Sequence, residues 1–179
     1  PTMGRMSAVK PVLSPLTRAA LETEAHVATD GWGQPARLFS LARNGELLRR
    51  QPALAAMLGD VDPDEFSAIE QEGVIRGDDL EKALGHTAWP ADVDGVALAV
   101  ERIIVPPQAE IETFGRGGTN AQRLATHEQR EDVRLLVAAL RNGEIITLVR
   151  RRAEDDDDKV AIGTNIAPGL VEALKATLA

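Results

Sequence analysis

The pattern of apolar positions predicts a helix near each end of the chain. Ser14 and Pro15 combine an N-cap residue with proline at the first helical position. Apolar side chains then recur at helical spacing, which predicts a helix over residues 15–29. A second amphipathic run begins after Pro168 and extends to Leu178, so we expect a C-terminal helix there.

Most of the strand signal lies in the second half of the chain. Residues 36–42 and 96–105 are apolar runs, and the second is continuous enough for a strand covered on both faces. Two β-rich runs, Val133–Arg141 and Glu144–Arg151, flank Asn142-Gly143. This pair suits the two positive-φ positions of a type I′ turn, so the pattern predicts a β-hairpin.

The remaining segments read as short helices, a short strand and loops. Helical turns are expected at residues 46–51 and 52–58, a capped helix at 78–86, and a further hairpin strand at 160–162. Residues 60–77 look irregular and acidic, and residues 108–130 form a polar excursion with a short helix near 119–127.

Because strands and helices are largely segregated along the chain, the order of elements predicts an α+β fold. We expect an antiparallel β-sheet of about four or five strands with helices packed on it, including the N- and C-terminal helices. Residues 1–13 are interpreted as a flexible arm or an expression remnant, and residues 14–179 as a single domain.

Composition excludes several classes of function. The chain has 179 residues, no cysteine and a net charge of −8, so disulfides and thiolate chemistry are absent and nucleic-acid phosphate should be repelled. No apolar run reaches the ~18 residues of a membrane helix, and we expect a cytoplasmic protein. Three Phe, two Trp and no Tyr leave few platforms for stacking bases. No cofactor is indicated.

Local motifs for metal or phosphate chemistry are incomplete. His127–Glu131 approaches the zinc-protease pattern, but Glu131 stands where the second histidine is needed, so no metal site is predicted. The acidic run Glu154–Asp158 could collect a cation, although a solvated hairpin tip beside Arg150–Arg152 is the favoured interpretation. For the glycine-rich segment Phe114–Asn120 a mobile loop is favoured over a phosphate cradle.

Glu101 and Arg102 interrupt the most apolar strand. Charges in such a position must pair, reach the sheet edge or line a cavity. Arg134, Arg150 and Glu144 on the following strands are natural partners, which favours a structural ion-pair ladder over a polar pocket floor. If the pocket exists, the candidate ligand-binding residues are Glu101, Arg102, His127, Arg130 and Glu131.

Four segments resemble an actinobacterial family of hypothetical proteins: Gly31–Phe39, Trp89–Arg102, Arg130–Leu135 and Pro168–Leu174. The resemblance covers about residues 15–179. It implies no activity and no catalytic residue. At the level of fold the chain is similar to secretion-chaperone-like α+β proteins, from which it departs because helices follow the first strand.

A third possibility, nucleic-acid binding through Arg49-Arg50 and Arg150–Arg152, is disfavoured by the acidic run at 154–158, so two functions are mainly weighed. The favoured one is a non-catalytic protein-binding or adaptor domain, chaperone-like, whose partner is another protein or a second copy of the chain. The alternative is a small-ligand-binding protein or enzyme with a polar pocket around Glu101 and Arg102. An exposed apolar surface would favour the first, and convergence of the five candidate residues would favour the second.

Overall fold

A computed structural model describes residues 13–59, 61–72, 80–104, 131–163 and 166–179. Within these ranges no helix is both long and apolar enough to cross a membrane. The helices are α1 (Pro15–Ala28), α2 (Asn44–Arg50), α3 (Ala55–Leu58), α4 (Leu80–Gly85) and α5 (Pro168–Ala176). The strands are β1 (Arg37–Arg43), β2 (Phe66–Glu70), β3 (Gly95–Ile104), β4 (Glu131–Leu140), β5 (Ile145–Arg151) and β6 (Ala161–Ile162).

Helix α1 begins where the sequence signals place it. The Ser14 hydroxyl accepts a hydrogen bond from the Thr17 amide at 3.1 Å, and Pro15 occupies the first turn without losing a backbone donor. The helix ends at Ala28, one residue before the predicted boundary, and Gly31 follows with φ +78°. The N-terminal helix predicted from the apolar spacing is confirmed.

The six strands form one sheet in the order β2-β1-β3-β4-β5-β6, and every neighbouring pair is antiparallel. Helix α1 packs on one face, here called the α1 face. Helices α4 and α5 pack on the other face, here called the α5 face. The predicted α+β class is confirmed, with six strands instead of four or five.

Strand residues alternate between two buried clusters, as the pleat requires. On the α1 face, alanines predominate where the helix crosses the central strands. Small side chains on both sides allow a close approach of helix and sheet. The buried alanines of this cluster are Ala19, Ala20, Ala97, Ala99 and Ala138.

Strand β2 corrects the expectation that residues 60–77 are irregular. Its burial falls from Phe66, which is buried, to Glu70, which is exposed, so it carries little alternating apolar pattern. The strand forms because it pairs with β1 over Phe39–Arg43. Tertiary pairing thus outweighs weak local propensity.

The β4–β5 hairpin is confirmed, but its predicted type I′ turn is wrong. Of the loop residues only Gly143 has positive φ, at +97°. The Gly143 amide donates to the Leu140 carbonyl and the Leu140 amide to the Glu144 carbonyl, the pattern of a three-residue loop with a bulge. The Arg141 amide is held by the Asp94 carbonyl, a tertiary bond that sequence alone does not reveal.

The predicted short helices and the strand at 160–162 correspond to α2, α3, α4 and β6. The segment predicted at 52–58 is divided, since a 3₁₀ turn at Pro52–Leu54 precedes α3. The polar excursion 108–130, with its glycine-rich segment, and residues 1–12 of the predicted arm lie outside the described residues.

We expect Gly95→Ala to destabilise the fold. A methyl group on Gly95 would lie 2.5 Å from Leu140 Cδ2 and 2.6 Å from the Ala139 carbonyl oxygen, and the backbone atom cannot rotate away. Overpacking of this kind lowers the free energy of unfolding by about 1–3 kcal/mol. Urea unfolding followed by circular dichroism measures the change.

Gly169→Ala is the matched control. Nothing lies within 4 Å of the added methyl group, and Gly169 sits in the first turn of α5 without positive φ. Alanine there should leave stability unchanged or raise it by about 0.4–1 kcal/mol. Equal losses in both variants would contradict the packing at Gly95.

Candidate functional site

Glu101 lies at the end of β3 where the α1 face changes from apolar to charged. Its register partner on β4 is Arg134, whose partner on β5 is Arg150, so three charged residues form one row across the sheet. The cross-strand partnership of Glu101 with Arg134 and Arg150 was expected from the sequence. Glu144, the third expected partner, precedes β5 at its opposite end.

A fourth charge, Glu24 of α1, completes what we call the buried ion cluster: Glu24, Glu101, Arg134 and Arg150. The Glu24 carboxylate accepts hydrogen bonds from Arg150 Nε at 2.9 Å and Nη2 at 2.6 Å, and lies 3.8 Å from Arg134 Nη1. Side-chain exposure is 1% for Glu24 and Arg134 and 2% for Arg150. Because buried charges are costly when unpaired, each depends on the others.

The cluster holds the loop that connects α1 to β1. The Glu101 carboxylate accepts from the Gly33 and Gln34 amides, each at 2.9 Å, and Arg134 donates to the Gly31 carbonyl. Both Glu101 oxygens are therefore engaged by backbone donors. This carboxylate therefore fixes the position of the loop backbone.

Trp32, at the tip of this loop, ties it to the segment after β5. Its ring lies 4.5 Å from the Arg134 guanidinium carbon and 5.6 Å from that of Arg152, and Nε1 donates to Asp155 at 3.0 Å. Cation–π contacts of this kind are strongest where the cation is desolvated, as Arg134 is. The indole thus lies against Arg134, one member of the charged row.

The acidic run after β5 is tied to the same cluster. Arg150 donates to Asp155 at 3.2 Å and to Asp157, in addition to its bonds with Glu24. The Glu24 hydrogen bonds are the main cause that raises the pKa of Arg150 above its ordinary value. Among the described residues no group of three or more potential ligand side chains is arranged around a metal position.

The remaining predicted site residues do not join this row. By the alternation of β3 and β4, Arg102 and Glu131 leave the sheet on the α5 face, opposite to Glu101. Glu131 pairs with Arg151, whereas Arg102 borders a shallow cavity of about 420 Å³ together with Trp32 and Glu101. His127 and Arg130 lie outside the described residues.

Glu24 is the cluster member that the sequence interpretation missed. It stands four residues after Ala20, within the apolar stripe that includes Leu16, Ala20 and Val27. A carboxylate on the buried stripe of an amphipathic helix is a signal, because it must meet a cation in the packed layer. Arg134 and Arg150 occupy that position on the sheet.

A second site is the free edge of the sheet at β2. The Gln71 amide donates to the Leu38 carbonyl and the Glu65 carbonyl accepts from Asn44, both at 2.8 Å. Direction alternates along a strand, so the amides and carbonyls of Phe66, Ala68 and Glu70 point away from β1. Among the described strands none pairs with this side of β2.

The opposite edge is built differently. Strand β6 has only two residues, and the acidic 3₁₀ turns Arg152–Glu154 and Asp157–Lys159 precede it. Short strands and charge are the usual means by which proteins blunt a sheet edge. Strand β2 has five residues with neither lysine nor proline, so it presents the longer and less protected edge.

A groove of about 810 Å³ runs along β2 on the α1 face. Phe39 and Phe66 lie on its floor, and the half-buried Leu47, Leu54 and Val61 contribute apolar wall. Several carboxylates stand at its rim, and the described ion pairs engage two of them: Glu65 with Arg18 and Glu70 with Arg37. Hydrogen bonding to Arg37 lowers the pKa of Glu70. We call β2 and this groove the β2 surface.

Fold and sites together define a three-layer α+β domain with a buried ion cluster at one sheet end and with β2 as an edge strand of the described sheet. A family model described as PPA1309-like protein matches residues 16–179, and the chain belongs to that family. This confirms the resemblance to an uncharacterised family. Searches of curated proteins and of solved structures found no significant match.

We expect Arg150→Met to lower the free energy of unfolding by about 3–5 kcal/mol, because it leaves the Glu24 carboxylate buried without its main partner. The neighbouring variant Arg151→Met is the matched control. Arg151 is 43% exposed in its pair with Glu131, and removal of an exposed pair costs at most about 1 kcal/mol. Urea unfolding curves compare the two, and similar losses would contradict the role given to the cluster.

Proposed function

We propose that this chain is a non-catalytic protein-binding domain of the adaptor type, and that it receives an extended segment of its partner along the β2 surface. The observation that carries the proposal is the outward direction of the Phe66, Ala68 and Glu70 backbone groups, on an edge that no other described strand covers. Strand addition to such an edge supplies affinity through main-chain hydrogen bonds.

The groove beside β2 supports the same proposal by offering side-chain selectivity. Alternate residues of an added strand would project over the α1 face, where Phe66 and Leu47 offer apolar contact. A cytoplasmic setting belongs to the proposal, since a chain without cysteine needs no oxidising compartment.

Small-ligand binding around Glu101 and Arg102 is the second candidate, supported by the cavity of about 420 Å³ beside Trp32. We rank it below protein binding for two reasons. The Glu101 carboxylate already accepts two backbone hydrogen bonds, and Arg102 leaves the opposite face of the sheet.

The proposal predicts that a random library of 12-residue peptides, panned on sparsely immobilised wild-type chain, yields binders with alternating apolar residues. Ala68→Pro should abolish their binding while the fold persists, because proline removes only an outward-facing amide. Binding is measured by surface plasmon resonance, and circular dichroism monitors the fold.

Ile162→Pro is the matched control, since it removes an outward amide from the opposite edge strand. The Gly163 amide donates to Thr147, so the alternate residue Ile162 faces away from β5. Peptides that bind wild type and the Ala68→Pro variant equally well, or a library that yields no binder, would overturn the proposed function.

A further inference from the structure

The pairing geometry of β2 also bears on what its partner is, an inference that rests on the proposed function. We propose that the strand received at the β2 surface is β2 of a second copy of this chain, in a twofold-symmetric dimer. The two strands would run antiparallel with Ala68 opposite the partner's Ala68.

The hydrogen-bonding directions select this register. A ladder needs outward-facing residues opposite one another, and on β2 these are Phe66, Ala68 and Glu70. When the twofold axis passes beside Ala68, Phe66 lies opposite the partner's Glu70 and Glu70 lies opposite the partner's Phe66. Every outward backbone group of the three residues then has a hydrogen-bonding partner. A shift by one residue would oppose outward to inward groups, and a shift by two would leave one outward residue of each copy unpaired.

Side chains in this register are complementary to themselves. Glu70 would stand beside the partner's Phe66, over whose ring the Arg43 guanidinium already lies at 4.6 Å in each chain. No like charges are directly opposite, and the centre is a pair of small alanines. On the other face Ile69, 47% exposed in the single chain, would pack beside the partner's Ser67.

The salt dependence of binding distinguishes a second copy of the chain from a basic peptide as the occupant of the β2 surface. Two chains of −8 repel one another at long range, so added salt should strengthen the dimer or leave it unchanged. A basic partner held by the carboxylates of the groove would instead be weakened by salt.

Light scattering coupled to size exclusion, run on the full chain across a concentration series at low and high salt, tests the dimer. Wild type and Ile162→Pro should reach about twice the chain mass of 19.2 kDa at high concentration, and Ala68→Pro should stay at one chain mass. Wild type that stays monomeric throughout, or Ala68→Pro that dimerises equally, would overturn the inference.

Single cysteine substitutions test the register. Because the chain has no cysteine of its own, no other thiol can form a disulfide. In a hydrogen-bonded antiparallel pair the Cα atoms lie about 5.5 Å apart, within disulfide range. Ala68→Cys should therefore cross-link as the main species on a non-reducing gel. Ser67→Cys, whose symmetry mate is offset along the strand, should remain largely uncross-linked. Equal cross-linking of both variants would overturn the register.

The two proposals fail separately. A monomeric wild type whose library peptides are still lost in Ala68→Pro would refute the second copy and retain strand addition as the function. Peptide binding that Ala68→Pro leaves intact would refute strand addition at β2 itself.

Discussion

The buried pairing of Glu24 with Arg134 and Arg150 is the interaction on which one whole end of the structure depends. It joins α1 to the sheet at a point where apolar packing stops, and it orders the loop through Gly31 and the segment through Asp157 around a single set of charges. Ion pairs this deeply buried add little net stability compared with an apolar core, but they penalise any other arrangement. The cluster therefore specifies where α1 docks.

The two sites differ in how their hydrogen-bonding groups are used. At one end, both carboxylate oxygens of Glu101 accept hydrogen bonds from the backbone, and the Trp32 ring lies against Arg134. At the β2 edge, backbone groups remain directed outward beside an apolar groove. The surface proposed for a partner thus lies away from the polar residues that first attract attention in the sequence, and the proposal depends on main-chain groups that pair with no other described strand.

Elements with strong local signals were predictable, and those created by pairing were not. Ser14 and Pro15 mark the start of α1, and continuous apolar runs mark β3, β4 and β5. Strand β2 has no such pattern and exists through its register with β1. The alignment of Glu101, Arg134 and Arg150 could be predicted because their strands are neighbours in the chain. The part played by Glu24 could not, because it depends on which face of α1 meets these strands. The outward directions at the edge depend on the register of β2 with β1, and residues 66–70 carry no pattern that predicts this pairing.

The distance along the chain between Glu24 and Arg150 has a consequence for how the protein folds. These residues are separated by 126 positions in a chain of 179 residues, so their contact requires closure of a very long loop. Strands β4 and β5 are joined by a three-residue loop, and such local pairs form fastest. They can therefore associate long before Glu24 meets Arg150. When α1 docks, the Glu24 carboxylate and the Arg150 guanidinium must lose their bound water together. This requirement places the docking of α1 late in folding. Interactions formed that late act chiefly on the unfolding rate, so the cluster lengthens the lifetime of the native state more than it speeds its formation.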